Sequence, residues 1–215
     1  MTEAAFLQST RAAYDTVAVD YAEILRDELA GNPWDRAMLA AFAELVPAGS
    51  PVADIGCGPG RITTHLDSLG LKAFGIDLSP EMIAVARRAY PGLRFEVGSM
   101  TDLDLDEASL GGIVAWYSLI HVPPEFHPGV LAGFHRALAP GGRLLLGFQV
   151  GDECRHVTSG YGHDVSLDAY RLPVAETIER LERAGFALEV QSVRALDPAR
   201  KEKTPQGYLL ARKPE

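Results

Sequence analysis

The sequence predicts an α/β fold: a doubly wound, mostly parallel sheet with helices on both faces. Three observations carry this expectation. Short apolar runs alternate with segments of helical periodicity from about residue 50 onward, which places helices between parallel strands. A glycine loop, Gly56-Cys-Gly-Pro-Gly60, joins the first run to the helix that follows. The second run closes on Asp77, about 20 residues past the loop, where a doubly wound sheet places a ligand-binding acid.

Two helices precede the alternation. Phe6, Tyr14, Val17, Tyr21, Ile24 and Leu25 recur at helical spacing within residues 3–30, until Asn32-Pro33 interrupts. A second helix runs from about Trp34 to Leu45 and is broken by Pro47-Ala-Gly-Ser-Pro51. Val52–Ile55 is the first strand, Ile62–Leu69 its helix, and Lys72–Ile76 the second strand. Pro80–Ala89 is a helix with Ser79 as N-cap and Pro80 in its first turn. Leu93–Val97, Gly112–Trp116 and Gly142–Phe148 are further strands, with the helix Pro128–Leu138 between the last two. Val174–Ala184 is a helix ending at Gly185, a residue suited to a left-handed cap. Phe186–Val193 and Gly207–Ala211 follow almost consecutively, which suggests an antiparallel hairpin at a sheet edge.

A chain of 215 residues fits one such domain with a modest elaboration, and an apolar fraction of 47% can fill its core. The expected parts are an N-terminal helical lid (1–45), a ligand-binding core (50–150), a substrate-side insertion (151–173) and a C-terminal helix with a strand hairpin (174–215). No apolar run reaches the about eighteen residues of a membrane span, and the N-terminus lacks the pattern of a secretory signal. Cys57 and Cys154 are too few for a disulfide scaffold and have no zinc spacing, so a cytoplasmic setting is expected. A net charge of −9 argues against general nucleic-acid binding. The local basic pairs, Arg87-Arg88 and Lys201 with Lys203, read as solvated surface.

The glycine loop is the most informative segment. Glycines at 56, 58 and 60 let the backbone turn sharply and approach a ligand closely. A dinucleotide fingerprint fails here: counted from Gly56 the sixth position is Arg61, and counted from Gly58 it is Thr63. Asp54 beside the loop would repel a pyrophosphate and suits a cationic ligand group instead, such as an ammonium or sulfonium.

Asp54-x-Gly56-x-Gly58-x-Gly60 resembles the first motif of class I S-adenosylmethionine-dependent methyltransferases, whose loop cradles the methionine part of the cofactor. The resemblance covers roughly residues 50–150 and implies a seven-stranded sheet with an antiparallel last strand. It places Asp77 on the ribose hydroxyls, with Leu78 and Met82 as apolar walls. Gly98–Leu105 resembles the adenine loop, though Ser99 stands where many relatives carry an acid, so Ser99 and the backbone of Met100 are the expected contacts there. Ala115–His121 resembles the segment ending the fourth strand and adds Trp116 and Tyr117 to the cofactor contacts. Cys57 lies inside the loop as a tolerated small residue, not a nucleophile.

Tyr14-Asp-Thr-Val-Ala-Val-Asp-Tyr21 resembles the Y-D-x-x-A-x-x-Y start of small-molecule members. The two tyrosines are two helical turns apart on one face, and Tyr21 is the expected cofactor contact. The acceptor pocket is expected at the carboxyl ends of the strands, among Trp34, Trp116, Tyr117, His121, Phe148, Gln149 and the segment 151–170. If the acceptor must lose a proton, His121 and His163 are the candidate bases. No metal is expected, because no metal-ligand carboxylate pattern follows the fourth strand. The resemblance thus implies methyl transfer to an O, N or C atom; the acidic charge, the short chain and the lid-like N-terminus point to a small-molecule acceptor, and a monomer or homodimer is expected. The alternatives are a nucleic-acid or protein acceptor, and a non-catalytic or cyclase-type binder of the same cofactor.

Overall fold

The computed structural model describes residues 3–200 and 202–215; Lys201 of the second basic pair and the first two residues of the expected lid lie outside them. Among the described residues nine strands run in chain order: β1 (Pro51–Ile55), β2 (Lys72–Asp77), β3 (Arg94–Val97), β4 (Leu110–Trp116), β5 (Leu138–Gln149), β6 (Cys154–Gly160), β7 (His163–Tyr170), β8 (Ala187–Arg194) and β9 (Gln206–Arg212). Seven form one sheet in the order β3-β2-β1-β4-β5-β9-β8. β1 to β5 pair in parallel, and β9 runs antiparallel to both β5 and β8. The expected sheet, including its antiparallel last strand, is therefore present. That strand sits one place inside the edge, which β8 occupies.

Among the described residues six α-helices accompany it: α1 (Glu3–Ile24), α2 (Pro33–Leu45), α3 (Arg61–Ser68), α4 (Pro80–Ala89), α5 (His127–Ala137) and α6 (Val174–Arg183). The period-two alternation of each strand divides the core. Val52, Val114, Leu145 and Leu210 pack against α2 (Leu39, Phe42) and α3 (Ile62, Leu66) on one face. Ala53, Ile113, Leu144 and Leu209 pack against α5 (Val130, Leu131, Phe134) and α6 (Leu181) on the other. β4 is buried along its whole length, as a central strand covered on both faces must be. The order reverses between β1 and β4, so their carboxyl ends diverge and open a crevice there.

β6 and β7 form a separate two-stranded hairpin where only an irregular insertion was expected. It turns at Tyr161-Gly162, both with positive φ. The hairpin leans on α1, where His163 Nε2 and Asp20 Oδ2 are 2.6 Å apart. α1 is tied in turn to the start of α4. Ser79 Oγ donates to Asp15 Oδ1 at 2.5 Å, and Arg11 Nε donates to the Leu78 carbonyl at 3.2 Å. Ser79 thus caps α4, accepting from Met82 N at 3.1 Å, and anchors α1 through the same hydroxyl.

Candidate functional site

The crevice at the ends of β1, β2 and β4 has a volume of about 880 Å³. Its floor is the glycine loop, with Asp77 to Ser79 on one side and Gly98 to Met100 behind. Trp116 to Ser118 form the opposite wall, and Thr10, Arg11, Tyr14 and Tyr21 of α1 form the roof.

The loop is held by β2: Gly56 N and Cys57 N both donate to the Ile76 carbonyl, at 2.7 and 3.1 Å. All three glycines have positive φ, but their surroundings differ. A Cβ at Gly56 would stand 2.3 Å from Ser118 Cβ, and one at Gly60 would stand 2.7 Å from the Phe95 ring. Those two positions serve packing. At Gly58 a Cβ would meet only the Tyr21 ring at 3.9 Å, so this glycine leaves open space in the crevice.

Two carboxylates flank the loop in different states. Asp77 lines the crevice; its Oδ2 accepts from Gly58 N at 2.7 Å and its Oδ1 from Ser79 N at 2.8 Å. Each oxygen keeps lone-pair capacity for a further donor. Burial pushes its carboxyl up to about 6, against the pull of those two backbone bonds. Asp54 lies beneath the loop, 1% exposed, and forms no part of the crevice wall. Its Oδ2 accepts from the Thr63 hydroxyl at 2.7 Å, while Oδ1 has no hydrogen-bond partner. Burial raises its carboxyl to about 7.

That shift has a sign that can be checked. A carboxyl raised in the folded state contributes stability below its ordinary value of 3.8, and this is lost as pH rises through about 7. Relative to Asp54→Asn, the wild-type protein should therefore lose about 2–4 kcal/mol between pH 4 and pH 8. Denaturant midpoints for the two proteins at both pH values measure it. Parallel pH dependences would show that Asp54 is not the titrating group.

A second, larger cavity of about 1490 Å³ lies beyond the crevice, between α1, the start of α2 and the hairpin. The two spaces share Tyr14, Tyr21, Arg61, Tyr117 and His121 as a partition. Tyr14 Oη and His121 Nε2 are 2.6 Å apart, and His121 Nδ1 lies 3.1 Å from the Asp168 carbonyl. That carbonyl can only accept, so Nδ1 carries the proton and Nε2 accepts from the Tyr14 hydroxyl. Burial lowers the His121 pKa, which keeps the ring neutral. Burial likewise holds the Tyr14 phenol well above its usual range.

Of the expected cofactor contacts, Tyr21, Gly56, Cys57, Gly58, Asp77, Leu78, Ser99, Met100, Trp116 and Tyr117 come together around the crevice. Asp54, Gly60 and Met82 do not. Asp54 is covered by the loop, Gly60 packs on Phe95, and Met82 is fully buried against Val17 and Ala18 of α1. The Cys57 side chain points away from the crevice, since a Cβ on Gly75 of β2 would lie 2.6 Å from its sulfur. Burial raises its thiol well above the ordinary value, which suits an inert residue. Among the acceptor candidates, Gln149 and His121 face the second cavity, Trp34 is 64% exposed outside it, and Phe148 is core. His163 faces neither cavity and is engaged by Asp20 at the outer edge of α1. Arg61, Asp35 and Arg155 were not anticipated. Arg61 lies in both walls with its Nη1 2.9 Å from Glu28. It follows Gly60 directly and could have been marked as the one cation on the loop.

Residues 52–142 match the model of a methyltransferase domain. A ubiquinone biosynthesis O-methyltransferase of Xanthomonas axonopodis pv. citri is 34% identical over 109 residues, 48% of this chain and 45% of that protein. A trans-aconitate 2-methyltransferase of Methylobacterium nodulans is 35% identical over 132 residues, 53% of this chain and 48% of that protein. The chain thus spans about half the length of these curated relatives. Among solved structures, an S-adenosylmethionine-dependent methyltransferase of Methanosarcina mazei superposes with a TM-score of 0.72 at 21% identity, covering 81% of this chain and 97% of that one. A glycopeptide N-methyltransferase solved with sinefungin gives 0.67 at 19% identity, covering 84% and 87%.

Proposed function

We propose, from the premise that this chain carries a class I S-adenosylmethionine-dependent methyltransferase domain, that it transfers a methyl group from that cofactor to a small molecule held in the second cavity. The observation that carries this reading is the juxtaposition at Gly58. A side-chain-free backbone opens the crevice while its own N–H fixes a strand-end carboxylate, Asp77, that retains acceptor capacity.

The residues present fit the cofactor. Asp77 offers acceptors to two ribose hydroxyls, and Leu78, Ser99 and Met100 form the slot for a flat base. Arg61 and the Tyr21 hydroxyl are the cation and the donor available to the methionine carboxylate. Asp54 acts through the loop, which it supports from beneath, and not by contact. When bound, the cofactor supplies an activated methyl group for in-line displacement. The chain's task is then to align the acceptor and exclude water, and alignment alone can supply much of the rate. α1 borders both cavities and the hairpin borders the second, which favours a small acceptor over a macromolecule. The net charge of −9 also disfavours a phosphate backbone. No helix among the described residues is long and apolar enough to cross a membrane. A cytoplasmic monomer or homodimer, working without a metal, completes the reading.

Calorimetry with S-adenosylhomocysteine, followed by a metabolite screen with methyl-labelled cofactor, tests it. Binding without transfer to any acceptor would favour a non-catalytic binder instead. Affinity should also depend on pH in a stated direction. The ribose hydroxyls need the ionised Asp77, so binding should weaken as pH falls through about 6, by up to about tenfold per unit. Dissociation constants at pH 5, 6 and 7.5 give the slope.

A further inference from the structure

The partition between the two cavities contains a hydrogen-bonded chain that the cofactor reading does not use. The Asp168 carbonyl on β7 fixes the His121 tautomer, and His121 Nε2 accepts a hydrogen bond from the Tyr14 hydroxyl at 2.6 Å. Tyr14 lines both cavities, so its oxygen still has a lone pair available to a proton donor on the acceptor side. The immediate neighbours of the pair are aromatic, while the second cavity also carries Glu28, Asp35, Arg61, Arg155 and Glu202 in its lining. Tyr14 and Tyr21 meet edge to face at 6.0 Å, and Tyr21 and Tyr161 at 4.8 Å. Val17, Ile120, Val157, Val165 and Leu167 line the same cavity. The ionisable groups that face the pair are Tyr21 from α1, Asp77 from β2 and Tyr161 from the hairpin, with Arg61 and Tyr117 in the same partition. Of these Asp77 and Arg61 carry charge at neutral pH, and Asp77 repels a second negative charge on Tyr14.

Resting on the methyl-transfer reading, we propose that Tyr14 and His121 form a proton relay and that the acceptor is a hydroxyl group on a flat aromatic ring. The acceptor O–H bond breaks and its proton passes to the Tyr14 oxygen, while the proton of Tyr14 moves to His121 Nε2. The freed electron pair of the acceptor oxygen forms the new O–CH3 bond. The carbon–sulfur bond of the methyl donor breaks with its pair left on sulfur. One positive charge is lost from the sulfonium and one appears on His121, so the step balances. An acceptor that arrives already ionised would need no such chain. The ring suits the walls, since the Tyr14, Tyr21 and Tyr161 rings offer faces and edges to a flat partner.

The test uses 4-nitrophenol as the probe, because its phenolate absorbs where the phenol does not. S-adenosylhomocysteine binding is first measured by calorimetry in wild type, Tyr14→Phe and His121→Gln. With that ligand bound, the probe is titrated by absorbance. Wild type should bind the probe and lower its apparent pKa by about one unit, a tenfold gain in phenolate on the acid side. Tyr14→Phe and His121→Gln, each titrated at a concentration of S-adenosylhomocysteine that its own calorimetric dissociation constant shows to be saturating, should abolish that gain. Failure of wild type to bind S-adenosylhomocysteine would overturn the methyl-transfer reading and the relay with it. Retained binding would leave that reading standing and overturn the relay alone, if the probe does not bind or is not ionised, or if Tyr14→Phe ionises it as well as wild type.

Discussion

Replacing Asp77 with alanine should weaken binding of S-adenosylhomocysteine by about 2–4 kcal/mol, or roughly 30- to 1,000-fold in the dissociation constant. Two charge-assisted bonds to ribose hydroxyls are lost, and the magnitude follows from their usual worth. The carboxylate also holds Gly58 N and Ser79 N, so the variant frees two loop N–H groups that the wild type engages. The cap of α4 survives, because Met82 N is held by Ser79 Oγ and not by Asp77. A folded variant is therefore expected, and its melting curve separates loss of binding from loss of structure. Asp77→Asn should fall between the two proteins, since one side-chain oxygen still accepts while the amide can only donate. An alanine variant that binds within about threefold of wild type would remove Asp77 from the ribose site, a difference too small for one charged hydrogen bond.

Most of the sheet was legible because its strands are apolar runs bounded by glycine and proline. The Pro80–Ala89 helix is bounded as expected, with its start fixed by the Ser79 cap and Pro80. The β6–β7 hairpin was missed for an identifiable reason. Its signal is alternation, Val165, Leu167 and Ala169 facing the cavity against Asp164, Ser166 and Asp168, and the turn is written as Gly160-Tyr-Gly162. The alternating residues are only partly apolar because the strand covers a cavity and not a packed core. The candidate site divides in the same way. Residues borne on the loop and strand ends could be assigned from the motif resemblance, since the motif's spacing carries over where a strand end falls. Residues brought together across 47 or 107 positions, such as His121 with Asp168 and Tyr14 with His121, leave no local trace. His163 illustrates the converse. Its type suggested chemistry, but its place near the hairpin tip gives it Asp20 as a partner and no cavity.

The loop's glycines offer the sharpest contrast between packing and binding, and Gly56→Ala should be the most damaging single change in it. The new methyl would stand 2.3 Å from Ser118 Cβ, at a φ of +77° that a side chain disfavours. Ser118 cannot step aside cheaply, because its hydroxyl donates to the Ile55 carbonyl at 2.6 Å and its residue is 8% exposed. Overpacking and left-handed backbone strain together should cost about 2–4 kcal/mol and lower the melting temperature by about 4–16 °C. Gly58→Ala adds its methyl to open space, 3.9 Å from the Tyr21 ring, so only the backbone cost of about 1–2 kcal/mol remains. The order should reverse for the ligand. Gly58→Ala occupies crevice volume directly beside Asp77 and should weaken S-adenosylhomocysteine more, for each degree of melting temperature lost, than Gly56→Ala does. Thermal melts and calorimetry on the two variants give both quantities. If Gly58→Ala binds as tightly as wild type, the ligand does not lie against this bend, and the crevice holds something placed differently from the cofactor proposed.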